Sequence, residues 1–142
     1  MPPRLAAASV LLTTLLSGCV MYYRLRPGES RPIITMVAPA QRVAVWQRAV
    51  TVLLEEGFVP EVLNEAACYI SARRRADIAD DTLSGVIVLI SVSPEGSLRI
   101  EAGGSGLFHS EEQFHSALTK LQSRLASSIA HQFTPGTSPL TG

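Results

Sequence analysis

Two cysteines are the side chains of this 142-residue chain with the most distinctive covalent chemistry. Cys19 closes an N-terminal segment in which one positive charge, Arg4, precedes the uncharged run from Leu5 to Leu16. A positive start, an apolar run of this length and small residues at its end are the features of a secretory signal peptide. The sequence therefore predicts export, with a cysteine at the point where the signal ends.

The residues before Cys19 resemble the lipobox of bacterial lipoproteins. That motif is Leu, a small residue, Gly or Ala, and then Cys, and this chain reads Leu16-Ser17-Gly18-Cys19. The resemblance implies that the thiol of Cys19 receives a diacylglyceryl group, that cleavage removes residues 1–18 and that the new amino group is acylated. It also implies a mature chain anchored in a bacterial membrane and facing away from the cytoplasm.

Three other interpretations of this segment exist. A buried N-terminal helix would need a polar face, which Ser9, Thr13 and Thr14 are too few to supply. A permanent transmembrane helix would need roughly 20 apolar residues, more than the run contains. A plain secretory signal with cleavage near Gly18 is the closest alternative.

Val20 bears on the choice of membrane. In enterobacterial lipoproteins, an Asp after the modified Cys marks retention in the inner membrane. By that resemblance, Val20 predicts sorting to the outer membrane with the domain facing the periplasm. In a single-membrane bacterium the anchor would lie in the cytoplasmic membrane instead.

Charge limits the class of partner. The chain has 12 Lys and Arg against 12 Asp and Glu, and removal of Arg4 with the signal leaves 11 against 12. Nucleic-acid-binding domains usually carry a strong basic excess, so nucleic acid is not an expected partner. The predicted tether, residues 19–32, carries Arg24, Arg26 and Arg31, which serve as a solvated spacer or rest on anionic headgroups.

Cys68 is the one thiol left if Cys19 is lipidated, so no internal disulfide is expected. It lies in an apolar segment predicted to be a strand. The simpler interpretation is a small buried hydrophobic residue. A reactive or intermolecular thiol is the alternative.

The histidines and the glycine cluster do not match an enzyme site. His109, His115 and His131 lack the i, i+4 spacing and the carboxylate partners of metalloenzymes. Gly103–Gly106 does not form a nucleophile elbow, because Leu107 stands where a glycine is required. We therefore expect no catalysis, no metal and no cofactor, and a flexible connector at Gly103–Gly106.

A run of arginines is the candidate anion contact: Arg73, Arg74 and Arg75. Three aspartates follow it, Asp77, Asp80 and Asp81. One interpretation is a solvated turn that pairs weakly with itself. The other is that the arginines contact a phosphate or carboxylate, such as those of lipopolysaccharide or a peptidoglycan stem peptide.

Hydrophobic periodicity predicts two helices, Ala40–Glu56 and a second one from a capping box at Ser110 to about Gln132. The predicted strands are Ile33–Val37, Phe58–Leu63 at an edge, Ala67–Arg73, Gly85–Ser93 and Ser97–Ala102. The order β-α-(β)-β-β-β-α predicts an α+β two-layer sandwich, in which two amphipathic helices cover one face of an antiparallel sheet of three to five strands. The domain spans residues 33–133, and the tail, residues 134–142, is predicted to be disordered.

The end of the first helix and the strand after it carry a second resemblance, through Trp46, Leu53-Leu54, Gly57-Phe58 and Tyr69–Ala72. These residues resemble the small helix-on-sheet domains of envelope lipoproteins (BamC-like). The resemblance implies the same layering of helices on a sheet and carries over no functional residues.

The candidate partner face follows from strand alternation. If Val86, Val88 and Ile90 face the helices, then Tyr69, Ile87 and Leu89 face outward. Exposed apolar clusters mark interaction sites, although the tether or the C-terminal tail could cover this one. We expect a non-catalytic envelope lipoprotein that contacts a partner protein or a second copy in envelope assembly or maintenance. The alternative is a small-ligand or lipid-binding periplasmic module, with a cavity between helices and sheet.

Overall fold

The structure is a computed structural model that describes residues 19–75, 83–131 and 133. The predicted signal peptide (residues 1–18), the aspartates Asp77, Asp80 and Asp81, and the predicted tail (residues 134–142) lie outside these ranges. The strands are β1 (Met21–Leu25), β2 (Ile33–Met36), β3 (Phe58–Asn64), β4 (Tyr69–Arg74), β5 (Ser84–Val92) and β6 (Ser97–Phe108). The helices are α1 (Arg42–Glu55) and α2 (Glu111–Ala130), and short 3-10 turns span Pro27–Glu29 and Pro39–Gln41.

All six strands belong to one antiparallel sheet, with the order β1-β6-β5-β4-β3 and with β2 also paired to β6. β1 and β2 follow one another along the same edge of β6: Leu25 pairs with Gly104, and Ile33 resumes the pairing at Ile100. The α+β class, the antiparallel sheet and the two helices agree with the prediction. Within the described residues the sheet has six strands rather than three to five, and the order is β-β-α-β-β-β-β-α rather than β-α-(β)-β-β-β-α, because part of the predicted tether joins the sheet as β1.

Both helices pack on one face of the sheet around a single hydrophobic core. Each helix contributes fully buried side chains, such as Leu53 from α1 and Leu125 from α2. The helix ends follow the sequence signals. Gly57 has a φ of +85° just after α1, and the hydroxyl of Ser110 accepts a hydrogen bond from the amide of Gln113 at 3.2 Å at the start of α2. Among the described residues no helix is long and apolar enough to cross a bilayer.

β1 has a strand-like alternation within the segment predicted to be a tether. Tyr23 and Leu25 are half-buried and pack against the core, whereas Tyr22 and Arg24 are exposed. The ring of Tyr23 stacks on Phe114 of α2, with centroids 5.6 Å apart. The residues that follow Cys19 are therefore part of the folded domain.

Gly103–Gly106 lies inside β6 and is not a flexible connector. A Cβ on Gly103 would approach the nitrogen of Pro27 to 2.6 Å, so only glycine allows the tether to cross β6 this closely. The strand predicted from Ala67 begins at Tyr69 instead. Cys68 is the last residue of a turn and has a φ of +48°, and the Asn64 side chain accepts a hydrogen bond from the amide of Ala67 in this turn.

Candidate functional site

The sheet face that carries no helices, here called the outer face, holds the three predicted partner-face residues. Tyr69, Ile87 and Leu89 are half-buried on this face, whereas Ile70 and Val88 beside them are fully buried under the helices. Leu89 lies opposite Ser71, and Ile87 lies opposite Arg73. The alternation of the two strands therefore orients these side chains as expected.

Two valines of the edge strand β3 extend this surface. Val59 and Val62 are 50% and 47% exposed, and Val62 lies opposite Ser71, on the side away from Leu89. A β-bulge between Pro60 and Val62 changes the pairing register and brings Val62 to the outer face. We call Val59, Val62, Tyr69 and Leu89 the apolar patch. Its β3 half was missed from the sequence, where Pro60 signals an edge strand but does not fix the position of a bulge.

The chain itself covers another part of the outer face. The Pro27–Glu29 turn packs across β6 and reaches β5, with Pro27 directly over Gly103. Gly103 pairs with Ile87, so the turn lies beside Ile87. The expectation that the tether could cover the face therefore holds at Ile87, while Val59 and Val62 stay exposed.

The three consecutive arginines do not converge on one site. Arg73 is exposed on the outer face, and its Nε lies 2.8 Å from a carboxylate oxygen of Glu61. Arg74 points to the opposite side, is 6% exposed and donates a hydrogen bond to the carbonyl of Leu83 at 3.0 Å. Arg75 is exposed beyond the end of β4, and its backbone amide donates to the carbonyl of Gly57. Because adjacent side chains of a strand point to opposite faces, Arg73 and Arg74 cannot bind a single anion together.

Arg73 instead meets two arginines of the predicted tether. A pocket of about 270 Å³ opens on the outer face at the end of β1, and Arg24, Arg26 and Arg73 line it. The rest of the pocket wall includes Tyr22, Ile87 and three glycines: Gly85, Gly103 and Gly104. Two separate arginine groups of the sequence are thus combined at one place, which only the pairing of β1 with β6 could reveal. We call this site the arginine pocket.

The histidines lie apart from one another. The Nδ1 of His109 is 3.1 Å from the carbonyl oxygen of Cys19, and His115 contacts Glu111 at 3.4 Å. His131 lines a shallow groove beside Ile33 and Ala130. Within the part of the chain that the structure describes, no group of three His, Cys, Asp or Glu side chains is positioned to hold a metal ion.

The two cysteines occupy contrasting environments. Cys19 is exposed at the start of the described chain, next to β1. Cys68 is completely buried, and its Sγ lies 3.3 Å from the carbonyl oxygen of Glu65. A thiol that is accessible for modification is therefore found at position 19 and not at position 68.

The space between helices and sheet is filled by side chains. Phe58, Phe114, Leu98 and Ile129 are among the large residues packed there with under 3% exposure. Gln122 is a buried neutral polar side chain of this core, and it donates to the carbonyls of Arg31 and Ile100, each at 3.1 Å.

No protein-family model matches the chain, and no curated protein matches it.

Proposed function

We propose that this protein is a non-catalytic bacterial envelope lipoprotein, anchored by acyl chains on Cys19, that docks a partner protein on its outer face in envelope assembly or maintenance. By the lipobox resemblance it resides in the outer membrane and faces the periplasm, or in the cytoplasmic membrane of a single-membrane bacterium. The observation that carries the docking proposal is the apolar patch. It combines exposed Val59 and Val62 with half-buried Tyr69 and Leu89 on a face without helices.

The geometry of the anchor supports this proposal. Cys19 is exposed, and β1 begins two residues later. The contact between His109 and the Cys19 carbonyl ties this end to the start of α2. Acyl chains at Cys19 would therefore hold the domain close to the membrane surface, where two or more chains make release slow.

The partner is expected to pack on the face rather than extend the sheet. Pro60 and the adjacent bulge interrupt the free edge of β3, which disfavours addition of a strand from another chain. The ion pair of Arg73 with Glu61 lies beside Val59 and offers a polar rim to the apolar patch. A protein surface with an apolar centre and a polar rim has the matching chemistry.

Site-specific photocrosslinking tests the docking proposal. A photoreactive residue at position 62 or 89 should give a discrete crosslinked product in membranes of the native organism, whereas position 54 should not. Leu54 is the matched control, because it is 56% exposed on α1, away from the outer face. Val62→Asp should abolish the product formed from position 89 while leaving the fold intact.

The mass of the crosslinked product shows which molecule occupies the outer face. A product heavier than one chain by the mass of another protein supports the proposal. A product of twice the chain mass would show that a second copy of this chain, rather than a different protein, occupies the outer face. Equal labelling from positions 62, 89 and 54 would contradict docking at the outer face.

A further inference from the structure

The arginine pocket adjoins the apolar patch on the outer face, with Ile87 in the pocket and Leu89 in the patch two residues apart on β5, but it has a chemistry of its own. Three arginines, Arg24, Arg26 and Arg73, are among the residues that line it, and the lining that the described residues provide includes no acidic side chain. Two carboxylates lie close by: Glu61 pairs with the Nε of Arg73, and Glu29 accepts from the backbone amide of Arg26. Among the described residues around the pocket, positive charge therefore exceeds negative charge.

The shape of the pocket suits a small anionic group. Its volume of about 270 Å³ lies just below the range of roughly 300–1,000 Å³ that is typical for drug-sized ligands. Gly85, with a φ of +58°, and Gly103 contribute backbone without side chains to its wall. Arginine is the side chain best suited to bind phosphate oxygens, because its planar guanidinium donates two parallel hydrogen bonds.

The position of the pocket relative to Cys19 indicates which molecule supplies the anionic group. Arg24 follows Cys19 by five residues, which is about 17 Å at the rise of an extended strand. Between them lies a pair of exposed apolar side chains, Tyr22 and Leu107, which face each other across β1 and β6 with 63% and 58% exposure. Along the chain, the predicted acylated residue Cys19 is thus followed by the apolar pair of Tyr22 and Leu107 and then by the arginine pocket. This is the order of acyl chains, interface and phosphate in a lipid leaflet.

We propose that the arginine pocket binds the phosphate group of a membrane lipid next to the anchor. Arg24 and Arg26 contact the phosphate oxygens, Arg73 closes the pocket from β4, and Tyr22 packs against the glycerol and upper acyl region. The membrane source rests on the proposed anchoring at Cys19, whereas the affinity of the pocket for phosphate does not. Occupation of this pocket would orient the domain and leave Val59 and Val62 of the apolar patch, on the edge strand β3, free for a protein.

Titration of the full-length matured protein in non-ionic detergent tests the pocket. Inorganic phosphate and short-chain phosphatidylglycerol are added separately, with short-chain phosphatidylcholine as the zwitterionic reference, and binding is followed by the shift in unfolding temperature. Arg24→Ser should weaken binding of phosphatidylglycerol about fivefold, the factor expected for one arginine at an anionic surface. Arg99→Ser is the matched control, because Arg99 is an exposed outer-face arginine that pairs with Glu101 outside the pocket.

The titrations with inorganic phosphate and with phosphatidylglycerol distinguish a free phosphate ligand from a lipid phosphate. Tighter binding of phosphatidylglycerol than of inorganic phosphate, with Tyr22→Ser weakening the lipid alone, supports the proposal. Tighter binding of inorganic phosphate would overturn the lipid source. Equal effects of Arg24→Ser and Arg99→Ser, or no binding in either arm, would overturn the pocket itself. Because inorganic phosphate needs no anchor, a failure of lipidation at Cys19 would leave this result interpretable.

Discussion

The ring of Tyr23 stacks on the ring of Phe114, with centroids 5.6 Å apart and planes inclined by 18°. This contact joins the segment after Cys19 to α2, the longer of the two helices. An anchor at Cys19 would therefore be attached to a rigid domain, and the orientation of the outer face relative to the membrane would be restricted.

Tyr23→Ala should destabilise the domain by about 1–3 kcal/mol, because it removes an aromatic pair and leaves a gap beside the core. The measurement is the free energy of unfolding in urea. Tyr22→Ala is the matched control, since Tyr22 is 63% exposed, and its effect should stay within about 0.5 kcal/mol. Equal losses for the two variants would show that β1 is not packed on the core as described.

Gly103→Ala should destabilise the domain by about 1–3 kcal/mol, because the new methyl group would overlap Pro27 and the carbonyl of Leu25. Hydrogen exchange should also increase at the amides of β1. Gly28→Ala in the same turn meets no atom within 4 Å, and it should change stability by less than about 1 kcal/mol. A neutral Gly103→Ala variant would contradict the close crossing of the tether over β6.

Gln122→Leu should cost about 1–3 kcal/mol, although it replaces a buried polar side chain by an apolar one. The amide of Gln122 satisfies the carbonyls of Arg31 and Ile100 at the break between β1 and β2, and leucine would leave both without this donor. Gln47→Leu on the exposed side of α1 should stay within about 0.5 kcal/mol. A Gln122→Leu variant as stable as the parent would show that these two bonds are dispensable.

Cys68 should resist alkylation in the native protein, because its thiol is completely buried. A maleimide or iodoacetamide reagent should modify it only after denaturation. If Cys19 carries a thioether, the native matured protein should show no reactive thiol. Rapid native labelling at position 68 would revive the interpretation as a reactive thiol.

The helices and strands whose apolar residues recur at a regular spacing were predictable from the sequence. The apolar spacing of α1, the capping residue Ser110 and the alternation of β5 gave the helices, the hairpin and the orientation of Ile87 and Leu89. β1 was missed because its arginines and the following Pro27 and Gly28 match the composition of a spacer. The strand is stabilised by distant partners, β6 and Phe114, which local pattern cannot reveal.

The candidate sites also combine features that local sequence pattern predicts with features that depend on distant strands. The outward orientation of Ile87 and Leu89 was predictable from a period of two, whereas the position of Val62 on the outer face depends on a bulge. The arginine run was a weaker guide, because alternation sends Arg74 to the buried side while β1 brings Arg24 and Arg26 to Arg73. Sites assembled from strands distant in sequence depend on register, and register follows from the fold as a whole.

Intact-mass and N-terminal peptide mass spectrometry of the protein, purified from bacterial membranes, tests directly whether Cys19 is the lipidated first residue of the mature chain. We expect a chain that begins at Cys19 and carries a diacylglyceryl thioether and an acylated amino group on that residue. Cys19→Ser should leave the protein unprocessed and without acyl chains. A matured chain that begins elsewhere, or one with an unmodified Cys19 thiol, would contradict the proposed anchor.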